Sequence, residues 1–286
     1  MKSTAPQDTP KPIHPVTTPP ANPWSPSMFW QIAEEIPPQM TWVLMSISVL
    51  LPLSLWWAVA ASGWVSDQFL PSPFQVWSAA QNLWREGLLI QDTRASVMRV
   101  SSGFLLAAAI ATPIGILMGA FASIRALFEP AIGILRYMPA PAFIPLLIIY
   151  LGIDEPPKIA LIFIGTVFFN TLMIMDAVKF VPKALIEATY TLGGQRLQIL
   201  LQVITPYIFP NILDTFRINI AASWNLVVVA ELIAASEGLG KRIELARKFL
   251  KTDEIFACLI VLGLIGFAID LSFRLVIRRV CAWSFK

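Results

Sequence analysis

Few residues of this chain could perform acid–base, nucleophilic or metal chemistry. Its one histidine, His14, lies in a proline-rich N-terminal stretch, which excludes histidine-dependent catalysis and His-ligated metal in the apolar part of the chain. The cysteines, Cys258 and Cys281, lie in one apolar segment at a spacing that matches no zinc site. Gly238-Leu-Gly240-Lys241 resembles part of a phosphate-binding loop, but that loop also needs a glycine where the chain has Ala235. We therefore expect that the chain is not an enzyme and that it binds no metal, ATP or other cofactor by itself.

The composition indicates that most of the chain lies in lipid. Hydrophobic residues make up 56% of it and charged residues 14%, and the mean hydropathy is +0.68. Soluble proteins have about 25% charged residues. A soluble fold of this length could not bury so much apolar surface, which excludes most soluble enzymes, and the net charge of +3 is too small to indicate a nucleic-acid partner.

Apolar stretches of about 20 residues, long enough to cross a bilayer as helices, predict an all-α membrane protein with about six transmembrane helices. Residues 1–40 are predicted to be a disordered, proline-rich tail ending in a short interfacial helix, and residues 41–281 the transmembrane domain. The periodic, charged segments 74–89 and 241–250 predict helices along the membrane surface. Both termini would share one side, which the loop charges do not identify. The predicted spans are residues 41–65, 100–124, 129–151, 158–178, 207–234 and 255–277.

Charged and polar side chains inside the predicted spans are candidates for a pathway or gate, because they are costly in lipid. Arg136 would lie about 10 Å from one end of the third span, at a depth similar to that of Asp214. We expect these two to form an ion pair, with direct contact between Arg136 and an anion as the alternative. Glu231 is expected to cap a gate or to bond to the turn at residues 238–240. The other candidates are Tyr137 and four residues for which ordinary interhelical hydrogen bonding is the alternative, Asn170, Ser223, Trp224 and Asn225.

Other spacings predict how the helices pack or break. Gly115 and Gly119 have the small-residue spacing that lets membrane helices approach closely. Asp270 and Arg274 are four residues apart and are expected to neutralise each other on one helix face. Three prolines are expected to break the third span and to free backbone groups where a pathway could be lined, Pro139, Pro141 and Pro145.

The segment between the fourth and fifth spans differs from both a membrane helix and a flexible loop. Residues 182–206 predict a short helix, a glycine pair, a second amphipathic helix and a proline at the start of the next helix. Gly193 and Gly194 allow a sharp turn of the backbone. Such a helix–turn–helix suits docking into a groove on a cytoplasmic partner.

This segment resembles the coupling loop of bacterial ATP-binding-cassette (ABC) importer permeases. The family pattern is Glu-Ala-Ala, three residues, Gly, nine residues, Ile, one residue and Leu-Pro. The chain matches it in register at Glu187, Ala188, Gly193 and Pro206, and Val203 and Thr205 are among its mild substitutions. The resemblance implies that the ATPase is contacted by Glu187, Ala188, Thr189, Gly193, Gly194 and Pro206.

The resemblance extends over residues 69–279. The segments Leu70–Pro73, 135–139, 151–155 and 229–231 resemble the nitrate, sulfonate, taurine and bicarbonate branch of these permeases. It implies the type I ABC importer permease fold, with a cytoplasmic coupling helix and cytoplasmic termini, in a bacterial inner membrane. The implied partners are a second permease subunit, most simply in a homodimer, two cytoplasmic ATPase subunits that bind ATP-Mg, and a periplasmic or lipid-anchored solute-binding protein.

The implied function is ATP-driven import of a small anion such as nitrate, nitrite, bicarbonate, taurine or another sulfonate. A permease for a non-anionic small molecule, of the thiamine-precursor type, is the alternative within the same family. An intramembrane enzyme is disfavoured because the chain lacks paired catalytic groups. A passive channel or a structural membrane subunit would not need the segment 182–206.

Overall fold

The computed structural model describes residues 36–285, which form helices joined by short turns and contain no β-strand. The expected all-α fold is thereby confirmed for these residues. Residues 1–35 of the predicted disordered tail lie outside the described residues. The α-helices are α1 (Pro38–Ala61), α2 (Pro73–Arg85), α3 (Leu88–Ala120), α4 (Ala122–Leu135), α5 (Ile144–Leu151), α6 (Glu155–Lys179), α7 (Lys183–Thr191), α8 (Arg196–Gln198), α9 (Thr205–Ala234), α10 (Leu239–Lys248) and α11 (Thr252–Val280).

Within residues 36–285, five helices are long and apolar enough to cross a membrane: α1, α3, α6, the helix Arg196–Ile233 and α11. A sixth crossing would consist of α4 and the segment Ala140–Leu151, which meet at an angle of 84°. The expected break in the third span is therefore confirmed, but the predicted bounds 129–151 are too short, because α4 begins earlier, at Ala122. The bend lies at Pro139 and Pro141, because a proline removes a helix hydrogen bond and disfavours helical backbone in the preceding residue.

The helix that contains α9 begins earlier than the predicted span at 207–234. It runs without interruption through α8, a π-helical turn (Ile199–Ile204) and α9. Pro206 has no N–H, and in a regular α-helix its ring would clash with the carbonyl group four residues earlier. The wider π-helical turn relieves that clash, and the Thr205 hydroxyl donates to the carbonyl oxygen of Leu200 at 2.7 Å. The amphipathic helix expected before Pro206 is therefore not a separate helix, because it is continuous with α9.

Helices α3 and α6 run parallel in close contact, and α9 packs against both. A Cβ on Gly115 would lie 2.8 Å from the carbonyl oxygen of Thr171 and 2.9 Å from the Cβ of Ile174. One turn further along, Gly119 meets α6 in the same way. The predicted close approach at these glycines is confirmed. Beside it lies the largest apolar cluster, formed by α3, α6, α9 and the π-helical turn, with Ile116, Ile174, Val178, Ile199, Ile208 and Ile212 among its buried residues.

We predict that Gly115→Ala lowers the thermal stability of the detergent-solubilised protein. The added methyl group has no space against the α6 backbone, and overpacking of this kind typically costs about 1–3 kcal/mol. Gly263→Ala is the matched control, because nothing lies within 4 Å of a Cβ at that position of α11. Alanine is the better helix former by about 1 kcal/mol, so the control should be unchanged or stabilised. Equal melting temperatures for the two variants would contradict the close packing.

Candidate functional site

The segment predicted to contact a partner is a short exposed helix that ends in a tight glycine turn. Glu187 and Ala188 are exposed on α7. Gly193 has a φ of 81°, the left-handed conformation that few residues other than glycine adopt. Its N–H donates to the carbonyl oxygen of Tyr190, and the N–H of Gly194 donates to that of Thr189, each at 2.9 Å. These two bonds close the helix end, so α7 is held as a compact unit.

This segment exposes two large apolar side chains on one side and packs against the helix bundle on the other. Leu192 is 87% exposed and Leu197 is 65% exposed. On the other side, Ile186 packs against the buried apolar cluster that contains Ile199 and Ile204 of the π-helical turn. The segment therefore presents apolar side chains to a partner and is fastened to the helices behind it.

The predicted pathway residues occupy different places in the structure. Arg136, Tyr137 and Asn225 line one cavity, which we call the central cavity; its volume is about 340 Å³. Its walls come from the bend between α4 and α5, from α6 and from α9. Asn170, Ser223 and Trp224 are instead buried between helices, and Glu231 lies in a buried charged network described below. Asp214 lines a separate cavity of about 570 Å³, the inner cavity, together with Asp176.

The expected ion pair between Arg136 and Asp214 is wrong. Asp214 pairs with Arg217, one turn away on α9, at 2.9 Å, and Arg217 also reaches Asp270 of α11 at 3.3 Å. Arg136 donates to the hydroxyl of Tyr137 at 2.9 Å, and its guanidinium lies over the Tyr137 ring, 4.8 Å from the centroid. The two residues line different cavities, so similar depth did not bring them together. The expected pair of Asp270 with Arg274 is confirmed at 2.7 Å.

Polar side chains buried between α6 and α9 bond mainly to each other and to their own helices. The amide of Asn219 donates to the Oδ1 of Asn170 at 2.7 Å. Ser223 donates to the carbonyl oxygen of Asn219 at 3.3 Å. The indole nitrogen of Trp224 is buried and has no hydrogen-bond partner among the described residues. Asn170 therefore forms an interhelical hydrogen bond between α6 and α9.

Glu231 is fully buried and belongs to a charged network at the end of the bundle opposite to α7. Arg99 of α3 donates to it at 2.7 Å, and Ser96 donates to it at 2.8 Å. The N–H of Gly240 also donates to Glu231 at 2.8 Å, which confirms the predicted bond to the turn at 238–240. Four helices, α3, α6, α9 and α10, meet through this network.

The network extends outward from Arg99. Its guanidinium makes two parallel bonds to the carboxylate of Glu155 at the start of α6, at 2.6 and 2.8 Å. Lys158, one turn further along α6, donates to the same carboxylate at 2.9 Å. On the other side, Asp92 accepts from the N–H of Gly238 and from Arg242 of α10. A cavity of about 920 Å³, the outer cavity, adjoins the network and is lined by residues that include Arg94, Arg99, Glu155 and Glu237.

Sequence reasoning predicted Glu231 but missed Arg99 and Asp92. The second span was placed at 100–124 because that stretch carries no charge until Arg125, yet α3 begins at Leu88. Asp92, Ser96 and Arg99 follow one another at intervals of four and three residues, which places them on one face of a helix. This spacing was the available signal.

Comparison with known proteins shows what the chain resembles. Residues 111–281 match the family described as binding-protein-dependent transport system inner membrane component. A probable ABC transporter permease of Brucella abortus is 38% identical over 83% of this chain and 94% of its own length. The taurine transport system permease of Escherichia coli is 35% identical over 86% and 90%. The bicarbonate transport system permease of Synechococcus elongatus is 26% identical over 80% and 86%.

The fold is shared with solved transporter structures. A chain of the methionine ABC transporter MetNI, in inward-facing conformations, superposes with a TM-score of 0.61 at 20% identity. The match covers 68% of this chain and 96% of that one. The predicted importer-permease fold is confirmed.

We predict that Arg99→Met strongly destabilises the protein in detergent. The substitution leaves the carboxylate of Glu231 buried without its cation, and breaking a buried pair typically costs about 3–5 kcal/mol. Arg99→Met combined with Glu231→Met removes both charges and should cost less than the single change. Arg274→Gln, which removes an arginine whose side chain is 58% exposed, is the control and should change the melting temperature little. A single Arg99→Met variant as stable as this control would show that the network contributes nothing.

Proposed function

Because the chain belongs to the binding-protein-dependent transport system inner membrane component family, we propose that it is the permease of an ATP-driven importer of small anions. Membership in this family makes it an ABC transporter permease of an inner membrane. The proposal rests above all on one feature of the structure, the exposed α7 and its glycine turn, which continue into a membrane helix. A passive channel or a structural subunit has no use for such a segment.

In the proposed mechanism this chain performs no chemistry. Two cytoplasmic ATPase subunits bind and hydrolyse ATP-Mg, and each docks on one coupling segment, the residues 182–206. Glu187, Ala188 and Thr189 on α7 and the turn at Gly193 and Gly194 enter a groove on the ATPase. The helix Arg196–Ile233 has 38 residues, roughly 55 Å at 1.5 Å per residue. It passes Pro206 without a break and carries the movement of α7 toward Glu231.

The proposed orientation follows from the coupling segment. This segment must face the cytoplasm to meet the ATPase, so both termini are cytoplasmic and the outer cavity opens toward the periplasm. Each chain has one coupling segment, and two ATPases act together, so the transporter contains two permease subunits, most simply two copies of this chain. A solute-binding protein delivers the substrate at the periplasmic end.

The substrate class is proposed from the named relatives and from the charge of the central cavity. Taurine carries a sulfonate group beside its ammonium group, and bicarbonate is itself an anion, so both relatives are named for small molecules that carry an oxyanion group. Nitrate, nitrite and other sulfonates belong to the same chemical class. Arg136 gives the central cavity a positive charge, as an anion requires.

We predict that Gly193→Asp prevents docking of the ATPase. The aspartate adopts a φ of 81° only with strain and puts a carboxylate into the docking surface. Less ATPase should copurify with the permease, and uptake of labelled taurine and bicarbonate by cells producing the complete transporter should be lost. Gly63→Asp is the matched control: Gly63 has a φ of 69° and open surroundings, as Gly193 does, but it lies outside residues 182–206. Normal uptake and copurification with Gly193→Asp would rule out this coupling role.

A further inference from the structure

We propose that the central cavity holds the transported anion inside the membrane, bound by Arg136, Tyr137 and Asn225. The inference rests on the proposed anion substrate and adds to it the place and the groups of binding. The ligand class is a small oxyanion, a sulfonate, nitrate or bicarbonate, whose oxygen atoms accept hydrogen bonds from these side chains.

The cavity lies near the middle of the helix bundle. Arg136 follows the 14 residues of α4, a path of about 21 Å along that helix at 1.5 Å per residue. This path is longer than the 10 Å expected from the sequence, since α4 begins at Ala122. The α6 residues of the cavity, 164–169, stand near the middle of a helix of 25 residues. Broken helices at this depth characteristically line substrate sites in transporters.

The central cavity differs from the other two cavities in the charge of the residues that line it. The outer cavity has two arginines, Arg94 and Arg99, which Glu155 and Glu237 offset. The inner cavity is lined by Asp176 and Asp214, whose carboxylates pair with Lys179 and Arg217. The central cavity has one charged residue, Arg136, and among residues 36–285 no carboxylate lies within 4 Å of its guanidinium. An anion is therefore favoured in the central cavity, where the charge of Arg136 is not offset by a carboxylate of the described residues.

The donors of the central cavity are arranged for an oxyanion. The ring of Tyr137 supports the Arg136 guanidinium, and the Tyr137 oxygen accepts one of its N–H groups. The Tyr137 hydroxyl can still donate a hydrogen bond, and the remaining guanidinium N–H groups can donate two parallel hydrogen bonds to two oxygen atoms of one anion. Asn225 is exposed on α9, and the one hydrogen bond of its side chain to the described part of the chain goes to the carbonyl oxygen of Ala221 at 3.4 Å. Apolar walls that include Leu135, Met138, Phe168 and Leu226 limit competition by water.

The first test is uptake of labelled taurine, nitrate and bicarbonate by cells producing the complete transporter. Arg136→Gln should reduce uptake of the transported anion about tenfold or more, because a hydrogen bond to a charged group is worth at least that factor. Arg136→Lys keeps the charge and should retain part of the uptake. Arg274→Gln, which removes an arginine from α11, should transport normally. The amount of folded permease and of copurified ATPase should match the wild type in all three.

The second test measures occupancy without transport. Ala222 is exposed in the central cavity, whereas the native cysteines Cys258 and Cys281 are fully buried. In an Ala222→Cys variant of the purified transporter, the transported anion should slow labelling by a thiol reagent severalfold. Adding Arg136→Gln should abolish this protection.

The outcomes separate this proposal from the proposed function. If the wild-type transporter takes up none of the three anions, the anion assignment fails. If it transports one of them, and Arg136→Gln transports it equally well or the anion still protects Ala222→Cys without Arg136, then Arg136 does not bind the anion and the proposal is wrong. Two results together would likewise overturn the proposal and assign Arg136 to packing. These are a loss of folded Arg136→Gln protein, and no protection by the anion in the Ala222→Cys variant that keeps Arg136.

Discussion

The buried pair of Arg99 and Glu231 is the constraint on which the arrangement of the helices depends. In lipid the helices have no hydrophobic driving force toward each other, so close van der Waals packing and interhelical polar bonds bring them together. A buried carboxylate is different, because it is costly unless a cation and hydrogen-bond donors surround it. Glu231 obtains its cation from α3 and an N–H donor from the start of α10. These helices can meet in few other ways without leaving a charge unsatisfied.

The two ends of the long helix Arg196–Ile233 are held by different physical means. At one end, Ile199 and Ile204 of the coupling segment pack into an apolar cluster with α3 and α6. At the other end, Glu231 is held by charge-assisted hydrogen bonds. Between them, the exposed residues near Asn225 face the central cavity. The helix is thus held by apolar packing at one end and by charge at the other, with the central cavity between them.

The sequence was most informative where local geometry decides the outcome. The turn at Gly193 and the close approach at Gly115 could be predicted, because a glycine's missing Cβ has the same consequence in any surroundings. Arg99 was missed because spans were sought as charge-free stretches, and its partners come from distant parts of the chain. The pair of Arg136 with Asp214 failed for a related reason: depth along a helix follows from residue counting, but the direction in which each helix faces is set by its packing.

The π-helical turn at residues 199–204 fixes the angular relation between α7 and the part of the long helix that follows the turn. A π-helical turn contains one more residue than an α-helical turn, and one residue corresponds to a rotation of about 100° about the helix axis. If this stretch were a residue shorter and regular, Asn225 could face the central cavity only with α7 pointing to another side of the bundle. The extra residue therefore sets the rotation of α9 relative to α7. The number of residues in the π-helical turn is as tightly constrained as their types.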